Sequence, residues 1–185
     1  MEQEKIAENR ANQPSRWYVA HIKNLSGPKI QERLNELGIK NYLPYWTKVE
    51  AIQGRIVKKE APVPINLIFL FTTYDICLKL INFEPMKLNF MRDFLTNKFM
   101  VIPEKQMEDF MFLLNFSDKA IKVINKDLRP GDKVRVVKGD FAGIEGELIR
   151  VQGHKRVVVR LRGLISLATT YIPGSFLEKI GPTEK

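Results

Sequence analysis

The sequence lacks the residues from which disulfides, metal sites and membrane spans are built. Its 185 residues include one cysteine, Cys77, which excludes a disulfide within the chain and a cysteine-based zinc site. Neither of the two histidines, His21 and His154, has a cysteine or carboxylate cluster beside it in the sequence. The longest apolar run, residues 65–71, is interrupted by Asn66 and is too short to cross a bilayer. We therefore predict no metal, no cofactor, no membrane span and no enzymatic activity.

Positive charge is in excess, and it is concentrated towards the end of the chain. The sequence has 30 Lys and Arg against 21 Asp and Glu, a net charge of +9. Residues 118–185 hold 14 basic and 8 acidic groups, a net of +6. Such an excess favours an anionic partner such as nucleic acid, or is a solvated basic surface. The polar residues 1–15 lack the apolar core of a signal peptide, which predicts a disordered tail and a cytoplasmic protein.

Residues 16–116 show the periodicities of a mixed α+β domain. In chain order, we predict a strand at 16–23, a helix opened by Pro28 and ended by Gly38, a strand at 39–52 broken at Pro44, a strand from Ile56, a strand at 65–73, a helix at 75–82, one or two strands in 86–102 and a helix opened by Pro103. On the last helix Met107, Phe110, Met111 and Leu114 share a predicted buried face. This order matches a ferredoxin-like antiparallel sheet with helices.

The sequence pattern changes after a predicted linker at 117–129. Residues 133–138 alternate, with Val134 and Val136 directed inward, and residues 156–162 alternate again. Short strands broken by glycines, with no helix-length pattern, predict a small SH3-like all-β barrel over 130–181.

Two features of the barrel segment have alternative interpretations. Gly139, Gly143 and Gly146 could be read as a phosphate cradle, but their spacing is neither G-x-G-x-x-G nor a P-loop, and bends between strands explain them better. Glu145 and Glu147 lie two apart on one face of a predicted strand. They could be paired catalytic carboxylates, or a solvated strand face with arginine neighbours.

The barrel segment resembles the KOW motif, which occurs in NusG-type factors and in several ribosomal proteins. The hydrophobic matches are the valines of 134–136 and 157–159. The matching motif residues are Gly131, Asp132, Gly139, Phe141, Gly143 and Gly146. The glycines allow sharp turns between strands, and Phe141 is predicted to plug the barrel end.

The first domain resembles the NusG N-terminal domain, whose fold is ferredoxin-like. The resemblance lies in Arg16-Trp17-Tyr18-Val19 before a helix, in Tyr42-Leu43-Pro44, and in the apolar strand that follows. On that strand, residues 64–69 lack the Pro-Gly and Tyr that NusG-type domains usually carry. Residues 101–110 are similar to the UpxY group of specialised paralogues, which are antitermination factors for capsular polysaccharide operons.

The resemblance implies a transcription elongation or antitermination factor that binds the clamp helices of the largest RNA polymerase subunit and suppresses pausing. The family pattern places these residues towards the polymerase: His21, Tyr42, Ile65, Leu67 and Phe69. As a polymerase-binding surface, Leu67 and Phe69 would be exposed in the free, monomeric protein. The alternative is that both belong to the core.

The KOW domain implies a second partner: a ribosomal protein, a termination factor, another polymerase surface, or nascent RNA or DNA. The residues expected at this contact are Arg150, Lys155, Arg156, Arg160 and Arg162. They could equally be a solvated face of the barrel. A different function remains open, that of a nucleic-acid-binding protein acting in translation or ribosome assembly, and co-purification with polymerase separates the two.

Overall fold

The computed structural model describes residues 13–22, 27–52, 55–63, 66–83, 86, 88–115, 122–123, 131–151, 154–161 and 164–181. The chain is a mixed α/β protein with few helices, and the strand pairs with a described register are all antiparallel. It divides into two compact units. One contains Met1–Tyr45 and Glu60–Glu104, and the other contains Trp46–Lys59 and Lys105–Lys185.

The elements follow one another along the chain with short connections. They are β1 (Arg16–His21), α1 (Gly27–Glu36), β2 (Lys40–Tyr42), β3 (Tyr45–Ile52), β4 (Arg55–Pro62), β5 (Leu67–Thr72), α2 (Tyr74–Ile81), β6 (Asn89–Phe90), β7 (Val101–Ile102), α3 (Glu104–Asn115), β8 (Lys122–Val123), β9 (Lys133–Val136), β10 (Glu145–Val151), β11 (His154–Leu161), β12 (Ile165–Ala168), a 3₁₀ turn (Gly174–Phe176) and β13 (Leu177–Gly181).

The helices of the first unit begin and end at the residues that local chemistry dictates. Helix α1 ends at Glu36, and Gly38 just beyond it has a φ of 67°, the left-handed conformation that glycine adopts most easily. The amide of Ile39 donates to the carbonyl of Leu34, and that of Gly38 to Asn35, at 2.9 Å each, as in a Schellman motif. Helix α2 starts after Thr73, whose hydroxyl accepts from the amide of Ile76.

The first unit is built on a sheet with strand order β2-β5-β1-β6, and β7 also pairs with β1. Strand β1 is therefore central, as predicted from its apolar residues. The face of this sheet towards α1 and α2 forms one apolar core. That core includes Tyr18, Ala20, Ile30, Leu34, Ile68, Leu70, Cys77 and Leu80. Pro44 separates β2 from β3, which confirms the predicted break, and β3 pairs with β4 as a two-stranded sheet.

The second unit contains a six-stranded sheet in the order β13-β9-β10-β11-β12-β8. Val134 and Val136 are buried, as predicted. Val158 lies on the opposite side of β11 from Val157 and Val159, and it is fully buried with Ile149 and Ala168 in a second small cluster. The four apolar residues of β11 are therefore all buried, because both of its faces are covered there.

Three predicted features of the fold differ in the structure. The buried face of α3 is formed by Met107, Phe110 and Leu113, whereas Met111 and Leu114 are only partly buried. Strand β8 pairs with β12 inside the segment predicted to be a linker. The contacts of the chain also group all of α3 after Glu104 with the second unit. In the described part of the chain, no helix is long and apolar enough to cross a membrane.

Candidate functional site

The sheet of the first unit has a second face, which points away from α1 and α2. Because side chains alternate along a strand, the residues between the core positions of β1 and β5 share this face. We call it the far face, and it is formed by Trp17, Val19, His21, Leu67, Phe69 and Phe71. The strand register places Val19 opposite Phe69 and His21 opposite Leu67. Two strands thus present a single continuous surface that is mostly apolar.

The neighbouring strands extend the far face on both sides. Tyr42 on β2 pairs with Phe69, and Ile102 on β7 pairs with Trp17. Burial raises the pKa of Tyr42 to about 12, so its hydroxyl stays protonated at neutral pH. The structure therefore brings together four of the five residues predicted to contact polymerase, while Ile65 lies outside the described residues.

Leu67 and Phe69 are 4% and 0% exposed, so of the two alternatives that the sequence left open, exposure or burial in the core, the structure shows burial. The physical reason is the size of the apolar surface. Covering a face with this many aromatic and aliphatic side chains gains roughly 25 cal/mol for each Å² removed from water. His21, at the end of β1, is exposed. Of the described residues predicted to contact polymerase, His21 is therefore exposed and Tyr42 is partly exposed.

A lysine on this face was missed by the sequence reasoning. The Nζ atom of Lys40 lies 4.9 Å from the ring centre of Phe71 and 5.5 Å from that of Trp17. The two rings are themselves 5.4 Å apart. An ammonium group over aromatic rings is attracted by their electron-rich faces. The signal was available, because Lys40 is two residues from Tyr42 and so shares its face of β2.

Two of the five predicted basic contact residues of the second unit form hydrogen bonds with neighbouring groups. Arg160 donates from Nε to Oε2 of Glu147 at 2.9 Å, and Arg156 donates from Nη1 to the carbonyl of Thr169 at 3.0 Å. Both arginines are partly buried, so they stabilise the sheet as well as carrying charge. Arg150 is exposed.

The other two predicted basic residues are Lys155 and Arg162. Lys155 pairs with Arg150 through its backbone. Arg162 lies outside the described residues.

Two glycines of the KOW-like motif allow neighbouring backbone segments of the six-stranded sheet to approach closely. A Cβ atom on Gly131 would lie 1.7 Å from the carbonyl oxygen of Leu148, and one on Gly146 would lie 2.5 Å from that of Val158. Only glycine permits such close approach between strands. Phe141 is buried.

The remaining motif residues form turns and an ion pair. Gly139 and Gly143 have φ values of 81° and 94°, which explains their place in turns better than a phosphate cradle does. Asp132 pairs with Lys179 at 2.9 Å.

Both carboxylates proposed as a catalytic pair, and one buried aspartate of the second unit, are paired with cations. Glu145 accepts from Arg135 at 2.6 Å, and Glu147 is bonded to Arg160, which favours the ordinary interpretation over catalysis. Asp109 on α3 is buried, 2.6 Å from Nζ of Lys105, and accepts from the amide of Glu145. Burial raises the pKa of Asp109 above its ordinary value, against the opposing effect of Lys105. Among the described residues, no group of three potential metal ligands occurs.

One protein-family model and several solved structures are similar to this chain. The family model described as transcription termination factor NusG matches residues 15–111. The chain is similar to a solved structure of Thermotoga maritima NusG that shows domain interaction, at 16% identity and a TM-score of 0.41, covering 90% of this chain and 98% of that one. It is also similar to the MjSpt4:Spt5 complex in conformation B, at 15% identity and a TM-score of 0.24, covering 91% and 99%. No curated protein matches the chain.

The matched segment contains β1, β5 and the whole of the far face, and it spans more than half of the sequence. The chain therefore belongs to the NusG family of transcription factors.

Proposed function

We propose that this protein binds RNA polymerase and suppresses pausing or termination during elongation. One observation carries the proposal: the β1–β5 register puts His21, Leu67 and Phe69 on one apolar sheet face, opposite the helices. Tyr42 joins the same face through its pairing with Phe69. A continuous apolar surface of this kind is suited to packing against another protein. In this proposal its partner is the pair of clamp helices on the largest polymerase subunit.

The burial of Leu67 and Phe69 adds a condition to this mechanism. A polymerase helix can contact these side chains only after the far face has been uncovered. First contact would then fall on the exposed residues beside it, His21 and Lys40. Most of the favourable free energy of binding follows in a second step. In that step the apolar residues lose the contacts that bury them in the free chain and pack against the polymerase surface instead.

The finer architecture is also a proposal. A ferredoxin-like first domain over 16–116 is supported by the β2-β5-β1-β6 order, which an antiparallel split β-α-β sheet has. A KOW domain over 130–181 is supported by the turns at Gly139 and Gly143. Residues 1–15 would be a tail, and 117–129 a linker that contributes β8.

The proposed biological setting follows from the resemblance to the UpxY group. We expect the factor to act as a monomer in the cytoplasm, on a capsular polysaccharide operon. Its KOW domain would contact a ribosomal protein, a termination factor or nascent nucleic acid, with Arg150 as the exposed basic residue on β10.

The test is a pull-down of purified RNA polymerase by His21→Glu and by a matched control, Leu78→Glu. Leu78 is 44% exposed on α2, which covers the opposite side of the sheet. Both substitutions place a carboxylate on an exposed position, so both variants should fold. We expect His21→Glu to weaken binding at least tenfold, because an unpaired charge at an apolar interface costs about 2 kcal/mol or more. Equal binding by both variants contradicts the far face as the docking surface, and no binding by the unchanged protein contradicts the proposed function.

A further inference from the structure

The connection between β6 and β7 exposes two large apolar side chains to solvent. Phe94 is 99% exposed and Leu95 is 90% exposed, far more than any other large apolar residue of the described chain. Tyr171 is next, at 56%. An exposed phenylalanine on its own needs no explanation, but two adjacent residues presented almost completely to water mark a candidate contact.

The connection holds these side chains in a defined turn, which we call the tip and which consists of residues 92–99. The carboxylate of Asp93 accepts from the amide of Leu95 at 3.1 Å and from the amide and hydroxyl of Thr96 at 3.0 Å each. Backbone hydrogen bonds of 2.8 Å join Asp93 to Lys98 and Asn97 to Asp93. The tip therefore presents Phe94 and Leu95 in a fixed arrangement, and little further ordering is needed for binding.

The electrostatics of the tip favour an anionic ligand. Arg92 and Lys98 are both exposed, one on each side of the apolar pair. The guanidinium of Arg92 lies over the ring of Phe99, 5.0 Å from its centre, and donates to the carbonyl of Asn97. The acidic group of the tip, Asp93, is partly buried, and its carboxylate accepts hydrogen bonds from Leu95 and Thr96. The outward surface therefore combines an aromatic ring, an aliphatic side chain and two cations.

The extent of the apolar surface decides between a protein and a nucleic acid as the ligand. A stable protein interface buries about 800 Å² on each partner. Here the apolar surface is limited to two side chains, and the polar residues Thr96, Asn97 and Lys98 follow at once. A phenylalanine ring can stack on a single unpaired base, aliphatic side chains act as wedges beside bases, and nearby cations neutralise phosphates.

We propose that the tip binds single-stranded nucleic acid, with Phe94 stacked on an unpaired base, Leu95 against its neighbour and Lys98 at a phosphate. This inference deepens the proposed function, because a transcribing polymerase is a source of unpaired DNA and RNA. The chemistry itself needs only the tip and the strand. It can therefore be measured in the absence of polymerase.

The experiment measures fluorescence anisotropy of labelled 15-nucleotide strands, DNA and RNA in separate arms, with the full-length chain. Phe94→Ala should weaken binding about 5- to 150-fold, the loss expected for one base–aromatic stack. Phe94→Trp should bind as tightly as the unchanged protein. Leu78→Ala, which removes a half-exposed apolar residue from α2, is the matched control and should have no effect.

The dependence on salt separates stacking from charge. Phe94→Ala should leave the slope of log affinity against log salt unchanged, because a phenyl ring releases no counterion. Lys98→Gln should reduce the slope by roughly 0.7, the value of one phosphate contact on a single strand. Fully paired duplexes of the same length should be insensitive to Phe94→Ala, because their bases are not available for stacking.

Two outcomes would overturn the inference. Equal affinity of Phe94→Ala and the unchanged protein for both strands contradicts it. Loss of polymerase binding by Phe94→Ala with unchanged strand binding would instead make the tip a protein contact, and this also contradicts it. A Phe94-dependent strand affinity in a chain that fails to bind polymerase would support the inference while refuting the proposed function.

Discussion

Replacing Leu67 with aspartate is the sharpest perturbation of the far face. Leu67 is 4% exposed, so the substitution removes a buried aliphatic side chain and introduces a carboxylate among apolar residues. Truncating a buried leucine alone costs about 2–5 kcal/mol. An unpaired buried charge adds several kcal/mol, or is avoided by protonation at about 1.4 kcal/mol per unit of pKa shift. Together these losses are comparable to the total stability of a domain, about 5–15 kcal/mol. We therefore expect Leu67→Asp to unfold the first unit.

The assay is urea unfolding followed by circular dichroism, with His21→Asp as the matched control. His21 lies directly opposite Leu67 in the β1–β5 register and on the same face, but it is exposed. The same new side chain should therefore change the free energy of unfolding by less than about 0.5 kcal/mol. If Leu67→Asp has the same urea midpoint as the unchanged protein, Leu67 is exposed in solution. That result would refute the reasoning from burial and restore the far face as an open docking surface.

Three further predictions concern Cys77, Gly131 and Asp109. Burial raises the pKa of Cys77 to about 12, so at pH 8 a thiol reagent should modify the native chain far more slowly than the urea-unfolded chain, and equal rates would contradict its burial. Gly131→Ala places a Cβ atom 1.7 Å from the carbonyl oxygen of Leu148 and should lower the urea midpoint, whereas Gly181→Ala, with open space around it, should not. The folded-state pKa of Asp109 is raised, so the folded chain binds more protons, and stability is lost as pH rises from the ordinary value of 3.8 through the folded-state pKa. Asp109→Asn should flatten that pH dependence in urea titrations between pH 3 and 7, and an unchanged slope would contradict the shift.

Local signals in the sequence predicted the first unit well. The start of α1 near Pro28, its end near Gly38 and the break at Pro44 each depend on the backbone preference of one residue. The alternation of β5 predicted that Leu67 and Phe69 share a face, and the register confirms this. Such features can be predicted from the sequence because they depend on the backbone preferences of a few neighbouring residues.

Features that depend on distant contacts could not be read from the sequence. On α3, Leu113 and Leu114 fit helical spacing from Phe110 about equally well, and packing selects Leu113 for burial. The partner of Arg160, Glu147, is 13 residues away and is brought close only by the β10–β11 pairing. The burial of Phe69 likewise depends on what covers a complete sheet face, which periodicity does not reveal.

The tip was missed for a related reason. Phe94 and Leu95 lie within residues 86–102, for which the sequence predicted only one or two strands. The turn depends on the Asp93 side chain, whose acceptors bind the following amides. An aspartate that can accept hydrogen bonds from the backbone amides two and three residues after it is a recognisable turn signal. Here that signal outweighs the apolar character of Phe94 and Leu95.

The most direct test of the central claim is single-round transcription in vitro with purified RNA polymerase on a template that carries a strong pause site and a terminator. Adding the purified chain should shorten the dwell time at the pause or increase read-through at the terminator, and His21→Glu should have a smaller effect at the same concentration. If the folded, unchanged protein at saturating concentration alters neither the pause nor the terminator, it does not act on elongating polymerase as proposed here.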